Sequence, residues 1–406
     1  MKDKKEIKKE DRVKKPSFWV YFLPIFLLRP IVKWKFNIHI DKSETKRLKG
    51  PTLALQAHAS QIDVVTAIIA LFPKRYNIVA AKDLFTWSSL KKFISSFGAI
   101  PITQLSLDLS SIRQIKNAID QDRNVLLYPE GRTSLDGKQL QFLSPAIGKL
   151  VKMLNCNLVM IEANGNYLTK PRYYHGFRRG RIEAKTRLLY TAEEIKNVKP
   201  NEIYENIKKH IEYNDNIWQQ ENNIEFKGKN LANGLNLVLY KCPECGAEYE
   251  MRTDNDRLIC NNCGNEIQYT TTGHLVALNG KKTIDRIDLW MDYERESIDK
   301  ELEAESFSLT NGVTVLIRND ETHEYVLVGE GNLTINKESI IFNGTINNEE
   351  KELVQHLKNV STIITKNQEG VDLVFDNITH RFLFKDKKYS IKYSLIVEEL
   401  FKINNK

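Results

Sequence analysis

A histidine and an aspartate five residues apart, His58 and Asp63, are the residues of this 406-residue chain best suited to acid–base chemistry. They lie in the segment 56–63, which reads Gln-Ala-His-Ala-Ser-Gln-Ile-Asp. A histidine titrates near neutral pH and can remove the proton of an attacking hydroxyl. A carboxylate bonded to the other ring nitrogen fixes the tautomer and stabilises the imidazolium that forms. The pair therefore predicts transfer of a group to a hydroxyl oxygen without a serine or cysteine nucleophile.

The surrounding pattern predicts a strand, a turn and a helix that would bring the two side chains together. Residues 52–56 are apolar and predict a buried strand, and Ser60 is expected to cap a helix over 61–72. His58 would then lie in the turn and Asp63 in the first helical turn, where the acid can fold back onto the imidazole. Ser60 and Asp63 also form a capping-box-like pattern, so the alternative is that Asp63 serves only the helix start.

A second histidine and aspartate with the same spacing, His210 and Asp215, are expected not to form such a pair. Residues 201–222 carry isoleucines at four-residue spacing, which predicts a helix. Residues five apart on a continuous helix lie about 140° apart around its axis. The two side chains should therefore point in different directions.

A second short segment, residues 127–134, is predicted to lie beside His58 at the same edge of a parallel sheet. It reads Leu-Tyr-Pro-Glu-Gly-Arg-Thr-Ser and follows a predicted strand over 124–128. Glycine lets the backbone approach a ligand closely, and the carboxyl ends of parallel strands meet at one edge. Glu130 and Arg132 would line this edge. The alternative for Glu130 is a turn carboxylate that holds backbone amides.

Together the two segments resemble the catalytic blocks of the glycerophospholipid acyltransferase family, whose members include the 1-acylglycerol-3-phosphate acyltransferases. The resemblance covers roughly residues 20–230. It implies O-acyl transfer from a thioester donor, acyl-CoA or an acyl-carrier protein, with His58 as the base and Asp63 as the acid that orients it. It also implies that Lys82 lies near the phosphate of the acceptor. The further substrate-binding residues that it implies are Glu130, Gly131, Arg132, Thr133 and Ser134.

Three positions depart from the family pattern. Ala57 stands where asparagine is usual, Arg132 is displaced by one residue, and Gln104 occupies the place of a phosphate-binding arginine. A neutral amide cannot replace a bidentate guanidinium. The expected acceptor is a lysophospholipid, first of all 1-acylglycerol 3-phosphate. The alternatives are glycerol 3-phosphate, a lipid hydroxyl without phosphate, or a catalytically retired scaffold that binds membranes.

The coarse pattern over 46–232 predicts an α/β acyltransferase domain with a mainly parallel sheet. Apolar strands alternate with amphipathic segments, which is typical of such sheets. The predicted strands are 52–56, 76–81, 124–128 and 157–162, and the predicted helices are 61–72, 87–96, 107–121 and 144–154.

A basic cluster follows the last of these strands. It could bind an anionic donor carrier or lipid head groups, or it could be a solvated loop and edge strand. Its members are Lys170, Arg172, Arg178, Arg179, Arg181, Lys185 and Arg187.

Residues 1–45 are predicted to form a basic tail and an interfacial membrane-contact helix. The first 15 residues carry eight lysines and arginines and four acids, and the whole chain has a net charge of +8. The apolar run 18–28 is broken by Pro24 and is too short for a bilayer, which needs about 20 residues. Its aromatic residues favour a helix in the interface of an anionic membrane; the alternative is a core helix. The expected location is cytoplasmic, peripheral on the inner face of the membrane.

Four of the five cysteines are spaced as metal ligands in a predicted zinc ribbon over 236–275. Two Cys-x2-Cys pairs with fourteen residues between them suit a closed tetrahedral structural site for Zn²⁺, with iron as the alternative. Metal thiolates also indicate a reducing compartment. The ribbon could bind a protein partner or act as a spacer, and nucleic acid is not expected because no basic-aromatic stripe is present. The ligands are Cys242, Cys245, Cys260 and Cys263.

A linker helix within 276–305 and a β-rich domain over 306–406 are predicted to follow, the domain ending in a helix over 391–403. This element order loosely resembles pleckstrin-homology-like domains, an analogy that carries no chemistry, and a protein partner is possible there. The predicted strands are 312–318, 325–329, 332–336, 339–343, 361–366, 371–375 and 380–384. The turn signals are Asn311-Gly312, Asn343-Gly344 and Glu369-Gly370.

Overall fold

The computed structural model of the protein describes residues 13–85, 94–104, 108–319, 324–366, 369–375 and 378–405. The chain divides into a first unit, Met1–Pro171 with Arg178–Phe226, and a second unit, Arg172–Phe177 with Lys227–Lys406. The basic tail before residue 13 and most of the helix predicted over 87–96 lie outside the described residues.

A seven-stranded sheet forms the centre of the first unit. Its strands are β1 Ile38–Asp41, β2 Thr52–Gln56, β3 Tyr76–Ala81, β4 Ile100–Ile102, β5 Asn124–Leu127, β6 Asn157–Asn164 and β7 Ile182–Tyr190. The spatial order is β1-β7-β6-β2-β5-β3-β4. Every neighbouring pair is parallel except β6 with β7, which is antiparallel. The mainly parallel sheet predicted from the sequence is therefore confirmed.

Helices cover both faces of this sheet. They are α1 Phe18–Lys35, α2 Asp63–Leu71, α3 Leu109–Asp120, α4 Ala146–Leu154, α5 Asn166–Thr169, α6 Ala192–Ile195, α7 Pro200–Ile211 and α8 Asp215–Glu221. Leu53 and Leu55 of β2 pack in one core with residues of α3, α4 and α7. Ala54, between them, packs in a second core with Ala67 of α2. Successive residues of β2 thus face the two cores in turn, which explains why this strand is apolar on both of its faces.

The helix predicted over 201–222 is interrupted, which corrects the sequence interpretation. It consists of α7 and α8, separated at residues 212–214, because the side chain of Asn214 accepts hydrogen bonds from the amides of Asn216 and Ile217 and starts a new helix. His210 bonds to Glu162 at 2.8 Å, and Asp215 accepts from two backbone amides elsewhere. The prediction that these two do not form a catalytic pair is confirmed.

Helix α1 covers the apolar run 18–28 and continues through Pro24 and Pro30. A proline removes one backbone hydrogen bond of the helix, and packing of α1 against the rest of the first unit compensates for this loss. The Tyr21 ring is fully buried with its hydroxyl donating to the Lys74 carbonyl at 3.2 Å, and Phe22 packs on Phe72 at 5.1 Å between ring centroids. None of the described helices is both long enough and apolar enough to cross a bilayer.

The second unit contains two antiparallel sheets and two long helices. The smaller sheet has β8 Met251–Asp254, β9 Arg257–Cys260, β10 Glu266–Tyr269 and β11 Leu275–Ala277, in the order β11-β10-β9-β8. The larger has β12 Ser308–Arg318, β13 Tyr325–Asn336, β14 Ser339–Ile346, β15 Glu349–His356, β16 Ile364–Lys366, β17 Gly370–Phe375 and β18 Ile378–Phe384. The helices are α9 Ile287–Glu303 and α10 Ser390–Asn404. The predicted β-rich region ending in a helix is confirmed.

Three predictions about the larger sheet are wrong. The two strands expected at 325–329 and 332–336 form a single strand, β13. Strand β15 was not predicted. The pairs Asn311-Gly312 and Asn343-Gly344 lie inside β12 and β14 instead of in turns. The turn that the sequence analysis missed is Asn347-Asn348, where positive φ angles of 52° and 64° suit asparagine and connect β14 to β15.

Ion pairs connect the ribbon strands, α9 and α10 within the second unit. The nearly buried Lys392 ammonium on α10 lies 2.8 Å from Glu248, next to the first cysteine pair, and 2.9 Å from Glu301 on α9. Arg295 on α9 reaches Glu398 on α10 at 2.7 Å. Because buried charges need partners, these contacts favour one packing of the ribbon against both helices.

Candidate active site

His58 and Asp63 form the pair that their spacing predicts. Nδ1 of His58 lies 2.9 Å from Oδ2 of Asp63, whose side chain is fully buried, while the imidazole is 21% exposed. Burial raises the pKa of Asp63, and the hydrogen bond and charge of His58 act in the opposite direction. With Nδ1 bonded to the acid, Nε2 is the nitrogen that can meet a substrate hydroxyl.

The turn before α2 differs from the expected one at Ser60. The helix begins at Asp63 with Ile62 as its N-cap, and the Ser60 hydroxyl donates to the Lys170 carbonyl at 2.6 Å. The amide of Ser60 nevertheless donates to Oδ2 of Asp63 at 2.8 Å. Asp63 therefore holds both the turn and the imidazole, and the two interpretations of this residue coexist.

Glu130 joins the second motif segment to the backbone of His58. Its buried carboxylate accepts the His58 amide through Oε2 and the Leu140 amide through Oε1, the latter at 3.0 Å. In addition, the Ser134 amide donates to the His58 carbonyl at 2.9 Å. Burial raises the pKa of Glu130 against the effect of these amides. With these contacts Glu130 is a turn carboxylate that holds backbone amides, which was one of its two predicted roles. A contact of Glu130 with substrate stays a prediction.

The sequence analysis missed Tyr128, which lies under the imidazole. The rings of His58 and Tyr128 are stacked with centroids 4.5 Å apart and an angle of 26° between their planes. The only sequence signal was an aromatic residue at the end of a predicted strand, directly before Pro129. Stacking on a buried ring restricts the orientation of the imidazole.

Lys82 and Gln104, which stand at the expected acceptor site, are both engaged within the protein. Nζ of Lys82 lies 2.9 Å from Asp108 and 2.7 Å from the Thr103 hydroxyl, and the Gln104 amide donates to the Gly131 carbonyl at 2.5 Å. Burial alone would raise the pKa of Asp108, but hydrogen bonds from Lys82 and two backbone amides hold it well below its ordinary value. The positive charge of Lys82 is thus compensated before any substrate arrives.

The remaining predicted binding residues follow Gly131 in a loop that folds on itself. Arg132 is 2% exposed, and Thr133 is half-buried. The buried Ser134 hydroxyl donates to the Lys138 carbonyl at 2.8 Å and accepts from the Gly137 amide at 3.0 Å. Ser134 therefore stabilises the loop, and a role of these three residues in substrate binding stays a prediction.

Two residues of the basic cluster, Lys185 and Arg187, form ion pairs within the first unit. Arg187 forms a bidentate pair with Glu162, and Lys185 lies 3.1 Å from Glu44. Arg178 is 1% exposed. These pairs favour a structural role for Lys185 and Arg187, whose strand, β7, is internal to the sheet instead of at its edge.

Four cysteine sulfurs in the second unit come together as the spacing predicts. All four lie within 4.8 Å of one another, and the pairs Cys242–Cys263 and Cys245–Cys260 are each 3.8 Å apart. A tetrahedral zinc ion with Zn–S bonds of about 2.3 Å places its sulfurs about 3.8 Å apart. A glycine follows each cysteine pair, Gly246 with a φ of 71° and Gly264 with a φ of 68°. Both positive angles allow the tight turn that closes each Cys-x2-Cys loop. The four thiols could hold a metal ion with this geometry.

A known protein family matches the part of the chain that carries the site. Residues 37–161 match the model of the family described as Acyltransferase. This stretch is thus an acyltransferase domain, and it contains His58 and Asp63 on one segment and Glu130 on the other. Among the curated proteins, none matches the chain significantly.

The solved structures that are similar to parts of the chain include the following three. The 1-acyl-sn-glycerophosphate acyltransferase PlsC of Thermotoga maritima is 14% identical and covers 48% of this chain and 88% of its own, with a TM-score of 0.37. The Ran-binding domain of Nup2 from Ashbya gossypii is 13% identical, with coverages of 24% and 94% and a TM-score of 0.20. Inner membrane complex sub-compartment protein 3 of Toxoplasma gondii is 18% identical, with coverages of 27% and 87% and a TM-score of 0.18. These similarities are too low to assign a substrate or partner to this chain.

Proposed function

We propose that the protein moves a fatty acyl group from a thioester donor to the free hydroxyl of a lysophospholipid, first of all 1-acylglycerol 3-phosphate. The observation that carries the proposal is the imidazole of His58, bonded to the buried Asp63 and attached through its backbone to Glu130. Such an arrangement fixes the tautomer and the position of a general base. Acyl-CoA and acyl-carrier protein are the candidate donors.

The proposed reaction needs one base and no covalent enzyme intermediate. Nε2 of His58 accepts the hydroxyl proton as the acceptor oxygen bonds to the thioester carbonyl carbon. The carbon–sulfur bond then breaks, and the imidazolium returns the proton to the departing thiolate. Asp63 stabilises the imidazolium between these steps, and the stacked Tyr128 ring keeps it oriented.

A neutral lipid hydroxyl is a second candidate acceptor. It is favoured because Asp108 compensates the positive charge of Lys82, and because the neutral Gln104 amide is bonded to the Gly131 carbonyl and offers a phosphate no charge. Glycerol 3-phosphate, which also carries a phosphate, would have to use the same groups.

We further propose that α1 lies in the surface of an anionic membrane, on its cytoplasmic face. The support is a set of large apolar side chains on α1 that are about half exposed or more, with Trp19 and Trp34 each at 72%. Lysines in the last turn of the helix would meet lipid head groups. The exposed apolar residues are Phe18, Trp19, Leu23, Phe26, Leu27, Leu28, Ile31 and Trp34.

For the cysteine cluster we propose structural zinc. Four sulfurs within 4.8 Å of one another, with two pairs at 3.8 Å, support a closed tetrahedral site without an open position. Zinc would stabilise the fold of the ribbon, and no step of acyl transfer involves it.

The test is acyl transfer by the full chain on lipid vesicles. Labelled acyl-CoA and acyl-carrier protein are supplied with lysophosphatidic acid, glycerol 3-phosphate or neutral lysolipids. His58→Ala should abolish transfer, and His210→Ala, whose histidine bonds to Glu162, is the matched control. Transfer to neutral acceptors alone selects the second candidate. No transfer to any acceptor, with vesicle binding intact, indicates a scaffold.

A further inference from the structure

Next to the Asp63 carboxylate lies a buried amide that the reaction described so far does not use. Asn166, the first residue of α5, is 1% exposed and lies 108 residues after His58 in the chain. Its amide faces the Asp63 carboxylate and acts on it as a hydrogen-bond donor. Within the described part of the chain, Nδ2 of Asn166 and Oδ1 of Asp63 are both buried and neither has a hydrogen bond of standard geometry. Each is therefore the partner available to the other.

The orientation of this amide is fixed from α2. The Thr66 hydroxyl donates to Oδ1 of Asn166 at 2.8 Å, and Thr66 is fully buried. With its oxygen bonded to Thr66, the amide must present its nitrogen to the carboxylate. Because Thr66 and Asp63 lie three residues apart on one helix, they are on the same face of α2.

The backbone on either side of Asn166 is fixed as well. The amides of Gly165 and Tyr167 donate to the two carboxylate oxygens of Asp215, each at 3.0 Å. Asp215 is fully buried at the start of α8. Asp215, which follows His210 at the same five-residue spacing as Asp63 follows His58, therefore holds the turn that carries Asn166.

We propose that Asn166 is a positioning residue for acyl transfer, which supports the second oxygen of Asp63 and is itself held by Thr66 and Asp215. The contact supports Asp63 throughout the reaction, because the buried carboxylate must stay ionised beside the imidazolium that forms when His58 takes up the substrate proton. The kinetic part of this inference rests on the proposed acyl transfer.

Several other titratable groups surround Asp63. The His58 imidazole lies in front of it, and the carboxyl groups of Glu130 and Asp215 and the hydroxyls of Tyr128 and Tyr213 interact with its charge. Burial raises the pKa of Asp63, and the Asn166 amide is among the donors that oppose this rise. Without the amide the acid should protonate at higher pH.

The experiment compares substitutions that differ in the polar group alone. Asn166→Asp and Thr66→Val should each lower kcat, roughly ten- to a hundredfold for the first and less for the second, with little change in KM. Both should shift the acidic limb of the kcat/KM profile to higher pH. Thr66→Ser should restore the wild-type profile. Thr186→Val, which removes an equally buried hydroxyl bonded to Thr45, is the control that should leave the profile unchanged.

A second measurement does not depend on turnover. The proton on Nδ1 of His58 should give a downfield NMR signal that His58→Ala removes, and Thr66→Val should weaken or shift it while Thr66→Ser restores it. An unchanged signal and pH profile in Thr66→Val, or a loss of activity explained by lower thermal stability alone, would overturn the proposal. A changed signal without any acyl transfer by the wild type would leave Asn166 as the support of Asp63 and refute the proposed function instead.

Discussion

The backbone amide of His58 donates to the carboxylate of Glu130, a residue 72 positions later in the chain. The Ser134 amide returns a bond to the His58 carbonyl. The histidine is thus held at its backbone by one motif segment and at its ring by Asp63 of the other. Neither segment can position the base alone, which gives a physical reason why the two occur together.

Glu130→Gln should separate a positioning role from a substrate-binding role. Glutamine has one acceptor oxygen where Glu130 uses two, so an N–H group would face either the His58 or the Leu140 amide. We expect kcat to fall, KM to change little, and the free energy of unfolding to drop by about 1–3 kcal/mol. Steady-state kinetics and urea unfolding measure both effects. A large rise in KM at unchanged kcat and stability would instead assign Glu130 to the acceptor.

Asp108→Asn should release the charge of Lys82. Asparagine can still cap α3 through the Ser111 amide, but it no longer compensates the ammonium 2.9 Å away. KM for a phosphate-bearing acceptor should fall up to about fivefold, because a partly exposed charge contributes about 1 kcal/mol at most. KM for a neutral lysolipid is the internal control and should stay constant. An equal change for both acceptors would show that Lys82 does not meet a phosphate.

Much of the first unit could be predicted because its central strands are buried on both faces. Apolar runs at 52–56 and 76–81 have no other good explanation, and the structure confirms them as β2 and β3. Strand β7 was expected only as an edge strand, in one of two interpretations of the basic cluster, because it carries alternating charges. Its Lys185 and Arg187 are paired with Glu44 and Glu162, contacts that no local pattern can reveal.

Prediction of the site from the sequence is limited in the same way, because contacts between distant segments leave no local pattern. The pair His58–Asp63 is local and follows from a spacing of five residues, whereas Tyr128 directly follows β5 and Asn166 begins α5. Asn166 has no signature in a single sequence, because its role depends on which side of Asp63 it occupies. Residues that act through another residue are thus the ones that sequence reasoning misses.

The buried Asp215 should make the first unit less stable as the pH rises. Burial raises its pKa to about 7, so the folded state binds a proton that the unfolded state releases near pH 4. The stability that this group contributes is complete below about pH 4 and is lost as the pH increases through 7. In Asp215→Asn this contribution cannot vary with pH. Urea unfolding between pH 4 and 8 should therefore show a decline in the wild type that the variant lacks, and parallel curves would contradict the assignment.

Removal of the metal should affect the second unit beyond the ribbon. A structural Zn²⁺ contributes on the order of 10 kcal/mol to the fold that binds it. Glu248, next to the first cysteine pair, holds Lys392 of α10, so unfolding of the ribbon leaves a nearly buried ammonium with Glu301 alone. We expect a chelator, or Cys245→Ser, to increase hydrogen exchange in β8–β10 and also in α10. Cys156→Ser, at a lone buried cysteine of the first unit, is the control. Exchange confined to the ribbon strands would show that α10 is held independently of the metal.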